Sequence, residues 1–411
     1  MKTNKLSLIN LKNCLRETSL RFPAAIGYAA LFTILTMALV WHPHLLPKSQ
    51  AFNLQAFLAE GALLSVMLKL CKETGQTNFG RNAWLCHLSL AAVAMLWMPL
   101  DYLGQELITA HLSIAVLLFC LCIFLPFRRE TDDIASSNLG ARIIKAAIFC
   151  PLAGIVPTVL LSGLIAFSFP LFFQLSAIDK DYMSIAIIFL LFLPFLLFLS
   201  RVPKGKRLVC HQLKVGKFAI VLIRQITMPL AVIYMCILYC YDAHIALAWE
   251  LPNGGVSYMV AIMAAMVFAI EFYLYFVSRG NQDYTVNWYL RWLPIFMMPL
   301  LALMSIGICR RIADYGLTAS RLYLATLNVW FYVVFLLMFS TRARRIHWIP
   351  LSFAALFALT SFLPFNYNTV ARLYIVNDVQ QRIAQHDTDD SEILSRQDYL
   401  RNTYGYEVTT E

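Results

Sequence analysis

Eleven long apolar stretches follow one another along the 411 residues of this chain. A helix needs roughly 20 apolar residues to cross the hydrocarbon core of a bilayer. The stretches predict membrane spans at 22–41, 52–70, 83–100, 108–127, 146–175, 183–200, 218–241, 256–278, 288–309, 320–340 and 347–365. Hydrophobic residues make up 60% of the chain and charged residues 14%, with a mean hydropathy of +0.66. Soluble domains are about half apolar and about a quarter charged. We therefore expect an all-α, polytopic transmembrane helix bundle of about 11 spans.

The lysines and arginines between the stretches predict the orientation of the bundle. The segments on the side of the N-terminus hold 22 of them, and the short loops on the opposite side hold five. Basic residues accumulate on the cytoplasmic side of membrane proteins. We therefore expect a cytoplasmic N-terminus, an external C-terminus and an odd number of spans. The stretch at 146–175 is predicted as one long, proline-interrupted helix, because splitting it would move the basic loop at 201–217 outside.

Charge also divides the chain into three predicted regions. Residues 1–21 form a basic cytoplasmic segment, 22–365 a transmembrane helical domain, and 366–411 an acidic extracytoplasmic tail. The tail carries four arginines against eight carboxylates, a net charge of −4, although the whole chain is +10. The basic balance therefore belongs to loops that face anionic lipid, and it gives no reason to expect nucleic-acid binding.

Three charged residues inside predicted spans form a candidate intramembrane polar site: Glu60, Arg224 and Glu271. Charge in hydrocarbon is costly and normally faces a partner or water. Arg224 and Glu271 lie at matched depth in neighbouring antiparallel spans, so they either form an ion pair or contribute to a substrate or proton path. Glu60 is nearer the membrane midplane and has no partner evident from the sequence, which makes it a candidate for a proton-linked or polar-cavity residue.

A second candidate site is the segment 310–323, here called the loop motif, which lies between two late spans on the predicted outer side. Its three arginines stand out because that side holds few basic residues. Gly316 permits a turn, and Thr318 is suited to cap the next helix. The arginines could contact lipid phosphates together with Asp314, form an anion-binding mouth, or dock the acidic tail. The candidate residues of the motif are Arg310, Arg311, Tyr315, Gly316, Thr318 and Arg321.

The run 311–323 has the form Arg-Ile-x-x-Tyr-Gly-Leu-Thr-x-x-Arg-x-Tyr. It resembles the signature of the uncharacterised bacterial membrane family called domain of unknown function 4153. The residues at 20–23, before the first span, and at 371–373, after the last, are similar to that family's start and to its exit into an exported tail. The resemblance implies a multi-span protein of the bacterial inner membrane. The family has no established activity, so the resemblance assigns no catalytic residue. The tail of this chain is shorter than the exported domain of some members.

Three classes of function stay open at this point. The sequence contains no glycine-rich phosphate loop, no GxSxG elbow and no HExxH spacing, so an enzyme is disfavoured and no cofactor, metal or catalytic residue is expected. A transporter is favoured because three intramembrane charges exceed what an anchor needs, although no internal repeat is visible. The alternatives are a membrane-anchored signalling or scaffold protein and an intramembrane transferase acting on a lipid-linked substrate. Expected partners are membrane lipids and either a small anionic ligand or an extracytoplasmic protein.

Overall fold

The structure is a computed structural model of the chain. It describes residues 13, 16–76, 82–99, 104–128, 133–173, 183–184, 186–205, 208, 221–248, 255–278, 284–339, 346–384 and 390–404. Every regular element within these ranges is helical, as the sequence predicts.

The helices of the first half are α1 (Pro23–Trp41), α2 (Lys48–Glu73), α3 (Ala83–Trp97), α4 (Gln105–Phe124), α5 (Ile134–Phe173) and α6 (Leu193–Arg201). Those of the second half are α7 (Met228–Ala248), α8 (Val256–Ser278), α9 (Tyr284–Tyr315), α10 (Ala319–Phe339), α11 (Trp348–Ser361), α12 (Tyr367–Ala384) and α13 (Asp390–Tyr404). A π-helical turn leads into α6 at Ile188–Phe192, and another leads into α7 at Leu222–Thr227.

Seven helices in the described ranges are long and apolar enough to cross a membrane, and four shorter apolar helices accompany them. These helices lie where the sequence is apolar. Helices suit such stretches because a helix satisfies its own backbone hydrogen bonds and can therefore lie in lipid. The chain is a helical membrane protein. The count of about 11 spans and the sidedness of the bundle stay predictions.

Helix α5 is one long helix, as the sequence predicts, but its start and its continuity differ from the prediction. It begins at Ile134, earlier than the predicted span, and it is unbroken as far as Phe173. The expected proline interruption is absent, although Pro151, Pro157 and Pro170 all lie within it. A proline removes one backbone hydrogen bond, and neighbouring groups in a membrane helix can compensate for that loss without ending the helix.

The chain divides into two compact units, which comprise residues 1–103 with 107–211 and residues 104–106 with 212–411. In the first unit, α2 is largely buried, and Leu70 and Cys71 are fully enclosed. The guanidinium of Arg21 binds both carboxylate oxygens of Glu73, at 2.8 and 2.5 Å. It also donates to the carbonyl oxygens of Val202 and Pro203, at 2.8 and 2.7 Å. This guanidinium joins the end of α2 to the residues that follow α6.

In the second unit, α8, α9 and α10 enclose the main apolar core. Fully buried side chains from these helices include Met263, Leu300 and Phe335. The tail forms a helical hairpin of α12 and α13 with a small core of its own: Ile375, Val376, Val379, Leu400 and Tyr404. Amphipathic pairing of the two helices buries these residues, so this part of the tail is folded.

Candidate functional site

The loop motif joins the end of α9 to the start of α10. Gly316 has φ +74°, a left-handed conformation that favours glycine, and its N–H donates to the carbonyl of Ile312 at 3.0 Å. The carbonyl of Thr318 accepts the N–H groups of Arg321 and Leu322, each at 3.1 Å. The structure therefore has the turn at Gly316 and the helix start after Thr318 where the sequence predicts them.

The three arginines of the motif have different surroundings. Arg310 donates to the carboxylate of Asp314 at 3.2 Å, on an exposed surface one helical turn away. Arg321 folds back and donates to the carbonyl of Gly316. Arg311 is half-buried, and within the described ranges it has no carboxylate partner. The positive charge of Arg311 is therefore partly enclosed, and Asp314, the acid of the motif, pairs with Arg310 instead.

A cavity of about 190 Å³ lies beside the motif, and we call it the arginine cavity. It is lined by Ser257, Tyr258, Ile308, Arg311, Thr318, Ser320, Arg321, Leu324 and Tyr399. These residues come from the first turn of α8, the end of α9, the start of α10 and helix α13. The first N–H groups of a helix have no intrahelical acceptor and carry partial positive charge. Two guanidinium groups and two helix N-termini therefore meet at one small cavity.

Ser257 is the least expected member of this lining. Its side chain is fully buried, and its Oγ has no hydrogen-bond partner in the described part of the protein. Thr318 and Ser320 lie nearby in the lining, with their hydroxyl oxygens 3.3 Å apart. The lining thus brings hydroxyl-bearing residues together with guanidinium groups, the chemistry that an oxyanion requires.

A larger cavity of about 380 Å³ adjoins it and shares Tyr258, Ser320 and Leu324 with it. We call this second cavity the apolar groove. Its remaining walls come from α10 and α11: Tyr323, Thr326, Leu327, Trp330, Phe353, Leu356, Phe357 and Thr360. A polar, cationic space therefore lies next to an apolar one.

The tail hairpin packs against the turn of the motif. Tyr374 of α12 and Arg396 of α13 lie next to Gly316, and Arg396 also pairs with Asp378. The start of the hairpin is held by Arg372, whose Nε donates to Glu106 Oε1 at 2.8 Å. Through Tyr399, α13 supplies one wall of the arginine cavity. The side chain of Tyr315 lies outside the described part of the structure.

Glu60 has a partner that the sequence does not reveal. Its Oε1 is 2.9 Å from Nδ1 of His111, and Nε2 of His111 is 3.0 Å from Oδ1 of Asn53. All three side chains are at least 95% buried. The Nδ2 of Asn53 donates to the carbonyl of Ala94 at 2.9 Å, and the ring of Trp97 packs nearly perpendicular to the imidazole. We call Asn53, His111 and Glu60 the histidine cluster.

The hydrogen bonds of the histidine cluster constrain its proton. Because the amide of Asn53 donates to Ala94, its oxygen faces His111, and Nε2 must carry a hydrogen. The Nδ1–Oε1 contact then needs one further proton, either on His111 as imidazolium or on Glu60 as carboxylic acid. The cluster therefore holds a single shared proton between two titratable groups.

Arg224 and Glu271 do not meet in the structure. Arg224 is exposed on the π-helical turn before α7. Glu271 of α8 is 2% exposed, and its Oε1 has no hydrogen-bond partner within the described ranges. The ion pair considered from the sequence is therefore not formed. A π turn changes the angular position of the residues it contains, so the depth match along two regular helices does not bring these side chains together. Glu60 belongs to the first unit and the other two to the second.

Sequence reasoning missed Ser257 and Tyr399 in the arginine cavity, and Asn53 and His111 in the histidine cluster. One feature of the sequence points to Ser257, because this residue lies at the predicted outer start of the span at 256–278. His111 had a weaker one, because it is a polar residue near the end of an apolar stretch. Tyr399 lies in the tail and carries no pattern that relates it to the loop motif.

Comparison with known proteins identifies the family. The family model described as Domain of unknown function (DUF4153) matches residues 29–402. The chain is 25% identical over 265 residues to an uncharacterised protein of Pasteurella multocida (strain Pm70), an alignment that covers 63% of this chain and 43% of that protein. The chain therefore spans less than half the length of that relative. No solved structure matches it. With nearly its whole length matched by the family model, the chain belongs to the DUF4153 family.

Proposed function

We propose that this membrane protein binds a phosphate-bearing anion in the arginine cavity. The observation that carries the proposal is the buried hydroxyl of Ser257, which has no partner among the described residues, in a residue that lines the same cavity as Arg311 and Arg321. A buried polar group left without a hydrogen bond costs about 1–3 kcal/mol. An oxyanion in the cavity would accept that hydrogen bond and remove the cost.

The composition of the lining supports phosphate over a carboxylate or a halide. A guanidinium presents a planar fork of donors that matches phosphate oxygens, and the N-termini of α8 and α10 add partial positive charge. Phosphate oxygens can also accept from the hydroxyls of Ser257, Thr318 and Ser320. The cavity of about 190 Å³ is smaller than the usual pocket for a drug-sized molecule, which is at least about 300 Å³. It therefore suits a small headgroup.

The predicted orientation of the bundle implies the side of the membrane on which the anion would bind. If the N-terminus is cytoplasmic, the ends of α8, α9 and α10 that form the cavity lie at the outer face. The ligand would then come from the outer leaflet or from the extracytoplasmic space of a bacterial inner membrane. Its role there is recognition of an anion, which agrees with the expected partners: membrane lipid and a small anionic ligand.

Thermal unfolding of the purified protein tests this proposal. Inorganic phosphate and glycerol 3-phosphate should raise the melting temperature of the wild type, because a ligand that binds only the folded state stabilises it. The increase should be lost in Arg311→Gln and kept in Arg310→Gln. Arg310 is the matched control, since it pairs with Asp314 and does not line the cavity. Equal increases in both variants, or none in the wild type, would contradict the proposal.

A proton-linked transporter is the second candidate, and the histidine cluster is the observation that favours it. A proton shared by Glu60 and His111 inside the first unit is the kind of group on which transport coupling depends. Trp97 contacts the imidazole with ring centroids 5.0 Å apart, so its fluorescence reports on the cluster. A pH-dependent fluorescence change in the wild type that is absent in Trp97→Phe and Glu60→Gln would support proton exchange. A signal independent of pH would leave the cluster as a structural hydrogen bond and remove this candidate.

A further inference from the structure

We infer that the anion recognised by the arginine cavity is the headgroup of a lipid whose hydrocarbon chain lies in the apolar groove. The inference rests on the proposed function and names its ligand class: an amphiphile with one phosphate headgroup and a long apolar chain.

The arginine cavity and the apolar groove are adjacent, because Tyr258, Ser320 and Leu324 line both of them. The two spaces differ in character, because Arg311 and Arg321 lie only in the arginine cavity, whereas aromatic and aliphatic side chains wall the groove. A cationic space beside an apolar one matches the order of groups in an anionic lipid.

The shape and polarity of the groove suit a hydrocarbon chain. Its volume of about 380 Å³ lies between α10 and α11, and Leu327, Trp330 and Phe353 form its apolar walls. The indole nitrogen of Trp330 is already satisfied, since it donates to Ser352 at 3.0 Å. The remaining surface is suited to methylene groups, which gain roughly 0.8 kcal/mol each when they leave water.

The tail hairpin lies beside the arginine cavity. Tyr399 lines one side of this cavity, and Tyr374 and Arg396 lie against Gly316. The hairpin therefore covers the turn of the loop motif, while the groove lies along α10 and α11. A soluble phosphate metabolite would need the arginine cavity alone, whereas a lipid would use both spaces.

Equilibrium binding of alkyl phosphates to the purified protein in a non-ionic amphipol tests the inference. The probes are ethyl, butyl, hexyl and octyl phosphate, with octyl glucoside as the uncharged comparison. Affinity should rise roughly two- to fourfold for each added methylene, as expected for transfer of methylene groups out of water. Octyl phosphate should bind at least tenfold more tightly than octyl glucoside.

Two variants of α10 distinguish binding of the alkyl chain in the groove from non-specific hydrophobic binding. Leu327→Trp fills the groove and should remove the dependence on chain length while ethyl phosphate binds as before. Val329→Trp is the matched control, because Val329 is 62% exposed, lies on the same helix and does not line the groove. It should leave the whole series unchanged. If chain length has no effect on the wild type, or if both tryptophan variants behave alike, the lipid inference is wrong.

Arg311→Gln makes failure of the inference distinguishable from failure of the proposed function. Loss of binding of every alkyl phosphate in Arg311→Gln, with no dependence on chain length in the wild type, would retain the anion site and overturn its lipid ligand. Unchanged binding of octyl phosphate in Arg311→Gln would overturn the anion site itself, and the lipid inference with it.

Discussion

Nδ1 of His111 and Oε1 of Glu60 are 2.9 Å apart, and both side chains are 4% exposed. This contact ties α4 to α2 across 51 residues of sequence. A buried charge or polar group that loses its only partner is left without compensation, whereas loss of both partners together removes that penalty. The contact is therefore open to a double-mutant cycle.

We expect His111→Ala to lower the free energy of unfolding by about 3–5 kcal/mol, because it leaves Glu60 buried without a partner. His111→Ala combined with Glu60→Ala should cost less than the sum of the two single changes. Chemical unfolding of the purified protein in detergent measures all three variants. Additive effects would show that the two side chains do not interact.

Arg21 makes four hydrogen bonds, two to the carboxylate of Glu73 and two to the carbonyls of Val202 and Pro203. We expect Arg21→Met to lower the free energy of unfolding by about 2–3 kcal/mol, the usual range for hydrogen bonds to charged groups. Arg21→Lys should recover only part of this, since an ammonium cannot reproduce the planar fork.

Lys204 with Glu17 is the matched control for Arg21, because it is an exposed ion pair in the same unit. Lys204 holds the pKa of the Glu17 carboxyl below its ordinary value. Because this pKa is lowered in the folded state, the pair stabilises the folded protein at pH values above the unfolded pKa near 4.5. This stabilisation is lost as the pH falls. Solvent screening keeps such a pair weak. Lys204→Met should therefore leave the melting temperature unchanged at pH 7, and a loss equal to that of Arg21→Met would contradict this ranking.

Helix α5 approaches the π turn at Ile188–Phe192 through Gly154. A Cβ at this position would overlap the carbonyl oxygen of Phe189, and a backbone atom cannot move aside as a flexible side chain can. Gly154→Ala should therefore destabilise the first unit, by about 1–3 kcal/mol as overpacking does. Gly163→Ala is the control on the same helix, where a Cβ meets nothing within 4 Å. It should be neutral or stabilising, since alanine favours helix over glycine. Thermal unfolding of the two variants side by side decides the matter.

Burial raises the pKa of Tyr404 in the tail hairpin above its ordinary value of 10. The folded hairpin keeps the phenolic proton when the unfolded tail would release it, so the contribution of Tyr404 to stability is complete below pH 10 and is lost as the pH rises further. The tyrosinate absorbance of the wild type minus that of Tyr404→Phe isolates this one titration. Its midpoint should lie above pH 10, and a midpoint at or below 10 would show that Tyr404 is solvated.

The positions of the helices could be predicted from the sequence because a membrane helix needs only its own apolar length. The turn at Gly316 and the start of α10 after Thr318 were also predictable, since both are local backbone requirements. The partner of Glu60 was not, because the contact with His111 depends on how α2 packs against α4. Matched depth along two regular helices suggested a contact between Arg224 and Glu271. The π turn at Leu222–Thr227, which changes the direction of Arg224, could not be predicted from hydropathy.

Some residues of the candidate site could likewise be predicted from the sequence, and others could not. An excess of arginine in a predicted outer loop indicated Arg311 and Arg321, because charge is visible in a sequence. Ser257 and Tyr399 reach the arginine cavity only through the packing of α8 and α13 around the loop motif. A serine at the start of an apolar helix has many ordinary explanations, and only its burial without a partner distinguishes this one.

The hydroxyl of Ser257, which has no partner within the part of the chain that the structure describes, allows a direct test of whether the arginine cavity binds an anion. Ser257→Ala should raise the stability of the ligand-free protein by about 1 kcal/mol, because it removes an unsatisfied buried group. The same variant should reduce the rise in melting temperature that phosphate produces. Ser305→Ala is the control, since Ser305 donates to Leu301 and accepts from Asn328, and it should lower stability without changing the effect of phosphate. If Ser257→Ala lowers stability and leaves the effect of phosphate intact, the hydroxyl serves the fold alone and the anion site is contradicted.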